Sequence, residues 1–175
     1  MMELLTKTPV WVYFLFITLL VLGFSQTKTR RPPLAVPFLL PVLMSLYSAV
    51  DTVIHFSAGG RGLGIAIVSA ACAWGYVRRS RIADGISYLP EEKRFEIKGS
   101  FAPLIIILCI FTVKYIHGAI SALKPELTQT ITFISIFAFF NGIFFGFFTA
   151  RIALFWDVYR ARSIEYTKEN LTQSL

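Results

Sequence analysis

The sequence predicts an all-α membrane protein: a bundle of five transmembrane helices with a small β-hairpin-like loop between the third and the fourth. Three observations lead there. Of the 175 residues 55% are hydrophobic and the mean hydropathy is +0.65, too apolar for a soluble domain of this length. Five apolar runs are long enough to span a ~30 Å hydrocarbon layer, which takes about 20 helical residues. The basic residues gather at the ends of those runs rather than along one face. This last point sets aside the nucleic-acid partner that a net charge of +7 invites. The partner expected is the lipid bilayer.

The first run, PVWVYFLFITLLVLGFS (9–25), has the length of a secretory signal, but its charges are reversed. Glu3 and Lys7 precede it, whereas Lys28, Arg30 and Arg31 follow it, and GFSQ lacks a small-x-small cleavage pattern. A retained helix is expected. The second run, 34–56, contains Pro37 and Pro41, which remove backbone donors and predict a kink. The third, 60–77, carries Gly60, Gly64, Ser69 and Ala73, small residues that let helix backbones approach closely.

Residues 78–100 form the one sizeable polar segment before the tail. Within it Ile86 and Tyr88, and then Phe95 and Ile97, alternate with polar neighbours on either side of LPEEK. Pro90 suits a turn position that wants its fixed φ, so the segment reads as a short hairpin or, equally, as a solvated loop whose charges only set topology. Its apolar face should lie on the membrane surface or on the helix ends. The fourth run is 101–123 and the fifth 130–156, and the tail 157–175 should continue as helix before fraying. In the fifth run Gly142 and Gly146 form a G-xxx-G with Ala150 one turn on. That face suits packing inside the bundle or a homodimer through Gly142/Gly146. Asn141, among phenylalanines, requires a hydrogen-bond partner on a neighbouring helix.

Lys and Arg set the orientation. Thirteen of the 17 fall after the first run, between the third and fourth, or from Arg151 onward; Lys7, Arg61 and Lys124 fall on the opposite side. The basic side is expected to be cytoplasmic, with the N-terminus outside. Trp11 and Tyr13 then mark the outer interface, and Trp74, Tyr76, Trp156 and Tyr159 the inner one.

Lys114 is left over, inside the fourth run. At about 1.5 Å per residue it lies ~20 Å from the inner surface, and Asp51 on the second run lies ~25 Å deep. The two are candidates for an ion pair. His55 follows Asp51 by four residues and His117 follows Lys114 by three, so each pair shares a helix face. With Arg61 nearby, Asp51, His55, Arg61, Lys114 and His117 form a candidate buried polar cluster. Intramembrane ionisable residues mark function by default, although a Lys–Asp pair also serves simply to fix two helices together. A haem held axially by His55 and His117 is a remote alternative. A metal site is not expected: zinc needs more ligands than two His and one Asp. Cys72 and Cys109 lie in apolar runs without a CxxC and read as small apolar side chains. No GxSxG, P-loop or HExxH occurs, so no catalytic residues are assigned.

The stretch GSFAPLIIILCIFTVKYIHG, with PEEKRFEIKGS before it, resembles small bacterial inner-membrane proteins of a domain-of-unknown-function family, which carry a "PGS…PL…F..KY..G" pattern. Lys98 stands where that pattern has proline. TPVWVYFLFITLLVLGFSQTKTR is similar to the family's first helix and basic exit. A more distant similarity is to CcdC-like membrane proteins, linked by name to cytochrome c maturation. The resemblance implies a bacterial inner membrane and singles out Gly99, Ser100, Pro103, Lys114, Tyr115 and Gly118, with Ser100 as N-cap of the fourth helix. The function expected is that of a non-enzymatic accessory or partner subunit of a membrane assembly. The alternatives are a small transport or ion-coupling protein using the Asp/Lys/His cluster, and a haem-handling membrane protein.

Overall fold

A computed structural model describes residues 10–56, 60–80 and 85–173. Among the described residues are five α-helices and two strands: α1 (Val10–Ser25), α2 (Val36–Phe56), α3 (Arg61–Arg79), β1 (Ile86–Leu89), β2 (Arg94–Ile97), α4 (Ala102–Leu123) and α5 (Ile131–Gln173). A short 3-10 turn, Pro125–Gln129, joins the last two helices.

Three of these helices are long and apolar enough to cross a membrane: α2, α4 and α5. The five spans expected from the sequence therefore divide into two classes. The described part of α1 is apolar but has 16 residues, short of the ~20 that a full crossing takes. The 19 residues of α3 are bounded by Arg61 at one end and by Arg78 and Arg79 at the other, which shortens its apolar part. The other departure is the length of α5. It runs for 43 residues, or about 65 Å, twice the thickness of a ~30 Å hydrocarbon layer. Beyond Gly146 no glycine or proline stops it, and an Arg162–Glu165 ion pair at i,i+3 braces the polar half.

The chain divides into two compact units. The first comprises Met1–Lys28 and Gly99–Phe137. Here α1 lies along α4, with the rings of Phe16 and Phe111 4.9 Å apart. A Cβ on Gly99 would stand 1.9 Å from the Thr27 carbonyl oxygen, so only glycine lets the two backbones meet there. The helix starts one residue later than expected. Phe101 is its N-cap, and the Ser100 hydroxyl accepts a hydrogen bond from the Ala102 N–H at 3.1 Å.

The second unit comprises Thr29–Lys98 and Ala138–Leu175. Its hairpin is antiparallel, pairing Ile86 with Ile97 and Tyr88 with Phe95. Lys93 closes the turn at φ 52°, and its N–H donates to the Pro90 carbonyl. The approach to α2 adds a third ply: Arg30 and Ile97 exchange both backbone hydrogen bonds (3.1 and 3.0 Å), and the Phe95 N–H donates to the Pro32 carbonyl. The apolar face of the hairpin packs against the beginning of α2 and the middle of α5, whereas the membrane surface or the helix ends were expected. Tyr88, Phe95 and Ile97 form a core with Phe155 of α5, joined by Leu34, Phe38 and Tyr159. Val77 of α3 is buried with Ala150 and Leu154 of α5. Further along the same pair of helices, a Cβ on Gly142 would come within 2.2 Å of the Ala66 carbonyl oxygen, and one on Gly146 within 2.1 Å of that of Ala70. The G-xxx-G face is thus in backbone contact with α3 of the same chain.

Candidate functional site: a polar seam between α2 and α5

Ser45, Ser48 and Thr52 recur at helical spacing on α2, so they share one face, with Asp51 beside them. All three hydroxyl residues are buried, as is Asn141 of α5 at 2% exposure. Buried polar groups in a low-dielectric setting must bond to one another, and these do. The Asn141 side-chain amide donates to the Asp51 carboxylate and, at 3.3 Å, to the Thr52 hydroxyl oxygen. The Ser48 hydroxyl donates to the Asn141 carbonyl at 2.8 Å, with the Asn141 Oδ1 3.4 Å away. Within α2 the Thr52 hydroxyl donates to the Ser48 carbonyl and that of Ser45 to the Pro41 carbonyl.

Asn141 lies ten residues into α5, or about 15 Å along its axis, half of a ~30 Å hydrocarbon layer. The seam thus holds a carboxylate, an amide and three hydroxyls. Chemically the set can tie two helices together, or carry a proton or a small cation on oxygen ligands. Beside it a cavity of about 420 Å³ opens between α2, α3 and α5, with a nearly wholly apolar lining that includes Thr52, Val53, Ala66, Ala70 and Gly146.

The residues of the expected cluster fall in both units. Asp51 and Arg61 belong to the second. Asp51 is half-buried in the seam, whereas Arg61 is exposed as the first residue of α3. Lys114 and His117 belong to the first, both half-buried on α4. The His117 ring packs against Phe133 and Phe137, with centroids 5.3 and 5.0 Å away. Tyr115 stacks on Phe111, one turn earlier on the same helix. His55 is helical, and its side chain lies outside the described residues.

The need of Asn141 for a partner on a neighbouring helix was legible in the sequence, and α2 meets it. That Asp51 supplies one of its contacts was not anticipated. Nor was the share of Ser48 and Thr52, although their i, i+4 spacing on either side of Asp51 carries the signal.

No curated protein and no solved structure matches the chain. A family model does, over residues 1–164. This agrees with the resemblance to a family of unknown function and lends nothing to the more distant CcdC-like similarity. The chain belongs to that family of unknown function, DUF6622.

Proposed function

We propose that this chain is a non-enzymatic integral protein of a bacterial inner membrane, acting as an accessory subunit of a larger membrane assembly. In this reading α1 and α3 cross the bilayer together with the three longer helices. The N-terminus is outside; the hairpin and the polar half of α5 are cytoplasmic, in keeping with the excess of Lys and Arg there. One observation carries the non-enzymatic part. The polar seam spends its hydrogen bonds on joining α2 to α5, through Ser48, Thr52, Asp51 and Asn141, which is how polar side chains serve helix association in a membrane.

A second reading, coupling to a proton or small cation, draws on Asp51 itself, a half-buried carboxylate near the end of α2 that shares the Asn141 amide with the Thr52 hydroxyl oxygen. Asp51→Asn separates the two. It removes the charge and keeps an oxygen for the Asn141 amide. The accessory reading expects unchanged membrane abundance and the same co-purifying membrane subunit. Normal abundance with loss of the deletion-complementing phenotype would transfer the assignment to ion coupling.

A further inference from the structure

The cavity beside the seam lies wholly within the second unit, and three helices wall it. Small residues leave it open: Ala49 of α2, Ala70 and Ala71 of α3, and Gly146 of α5. Its depth follows from the register of α3 against α5. Gly142, which meets Ala66, lies 11 residues beyond the start of α5, or about 16 Å, at the middle of a ~30 Å hydrocarbon layer. Thr149, also in the lining, lies 18 residues beyond that start, or about 27 Å, near the inner boundary. The cavity therefore covers the depth of one leaflet. Along α3 its lining runs from Leu63 to Trp74, about 16 Å.

The chemistry of the lining selects the guest. Water is a poor one: Thr52 and Thr149 donate their hydroxyl hydrogens to the Ser48 and Phe145 carbonyls of their own helices, and the lining is otherwise nearly all apolar. Another helix, about 10 Å across, is too wide, because 420 Å³ spread over that length is a channel roughly 6 Å across. A single hydrocarbon chain fits both the width and the length. The inner end is charged. The Arg78 guanidinium lies over the Trp74 ring, 5.5 Å from its centroid, and Arg79 follows in the same last turn of α3. Asp157 of α5 pairs with Arg78 and offsets one of these two charges. Aromatic and basic residues at that level meet anionic headgroups.

We propose that this cavity binds one acyl chain of an anionic phospholipid of the inner leaflet, with the headgroup at Arg78 and Arg79. The chain completes the packing of α2, α3 and α5 where their small residues leave them apart. The inference rests on the membrane placement proposed above.

The test uses the full chain in neutral detergent with Trp11→Phe and Trp156→Phe, which leaves Trp74 as its one tryptophan. Phosphatidylglycerol or phosphatidylcholine, each brominated near the ester end of an acyl chain, is added and the quenching of Trp74 fluorescence followed. Phosphatidylglycerol should reach half-quenching at a concentration about fivefold lower. Arg78→Gln with Arg79→Gln should abolish that preference. Ala71→Phe fills the cavity and should raise the half-quenching concentration about tenfold. Val68→Phe, exposed on α3 outside the lining, should leave it unchanged. Equal quenching by the two lipids, a preference that survives the double arginine change, or equal effects at positions 71 and 68 overturns the proposal. Should Ala71→Phe not fold, competition in the unfilled cavity decides. An excess of unbrominated phosphatidylglycerol should restore the fluorescence more than an equal excess of phosphatidylcholine, and equal recovery overturns the site. Alkaline carbonate extraction of membranes tests the placement separately: release of the chain would refute the membrane reading, whereas retention with no preference between the lipids refutes the site alone.

Discussion

The side-chain amide of Asn141 on α5 donates to the carboxylate of Asp51 on α2, ninety positions earlier in the chain. The bond joins two helices that sequence distance alone would not bring together. Asn141→Ala removes the donor and leaves a carboxylate in apolar surroundings. The expected cost is about 1–2 kcal/mol, the range of interhelical polar contacts in membranes. Asn141→Asp should cost more, because two carboxylates then face each other. Thermal midpoints of the detergent-solubilised protein check both, and an Asn141→Asp protein as stable as wild type would refute the contact.

Gly146 and Gly118 make a matched pair of tests. A Cβ at position 146 meets the Ala70 backbone, whereas a Cβ at 118 meets nothing within 4 Å. Gly146→Ala should destabilise by about 1–3 kcal/mol as α3 and α5 are pushed apart. Gly118→Ala sits in mid-helix without a clash and should be neutral or stabilising by up to about 1 kcal/mol. Crosslinking between cysteines introduced on α3 and α5 would report the separation directly.

Tyr88 gives the hairpin a dependence on pH. Burial raises its phenol above the usual tyrosine range, and Tyr159 beside it adds to the rise. Its ring lies 5.0 Å from that of Tyr159. Because the folded value is raised, this contribution to stability is complete below the unfolded value, near 10. It is lost as the pH climbs from there through the folded value. Thermal midpoints should therefore fall between pH 9 and pH 11 more steeply in wild type than in Tyr88→Phe. Equal slopes would show that the phenol is not held in the hairpin core.

Much of this architecture was legible in the sequence, because hydrophobic length and alternation speak locally. The hairpin followed from Ile86, Tyr88, Phe95 and Ile97 around LPEEK, and α4 from a clean apolar run. The helical tail was foreseen, but not its extent, since no residue after Gly146 marks an end. The candidate site was only half legible. Asp51 stands out as a charge in an apolar run, but its pairing with Asn141 depends on how two helices are rotated against each other. No local pattern encodes that angle. The aromatic brackets that Phe147 and Phe155 set around Arg151 went unread for a related reason: phenylalanine is so frequent there, at 17 residues in the chain, that a ring one turn to each side draws no notice.

The backbone bonds made by Arg30 and Pro32 have a mechanical consequence. They stitch the lead-in to α2 onto β2, and Phe155 rivets that strand to α5. A pull on the far end of α5 is thus passed through Phe155 into the strand and on to the mouth of α2, without relying on the surrounding lipid to carry the load. The hairpin works as a buckle, and a chain nicked between Pro90 and Lys93 would keep the strap while losing its fastening.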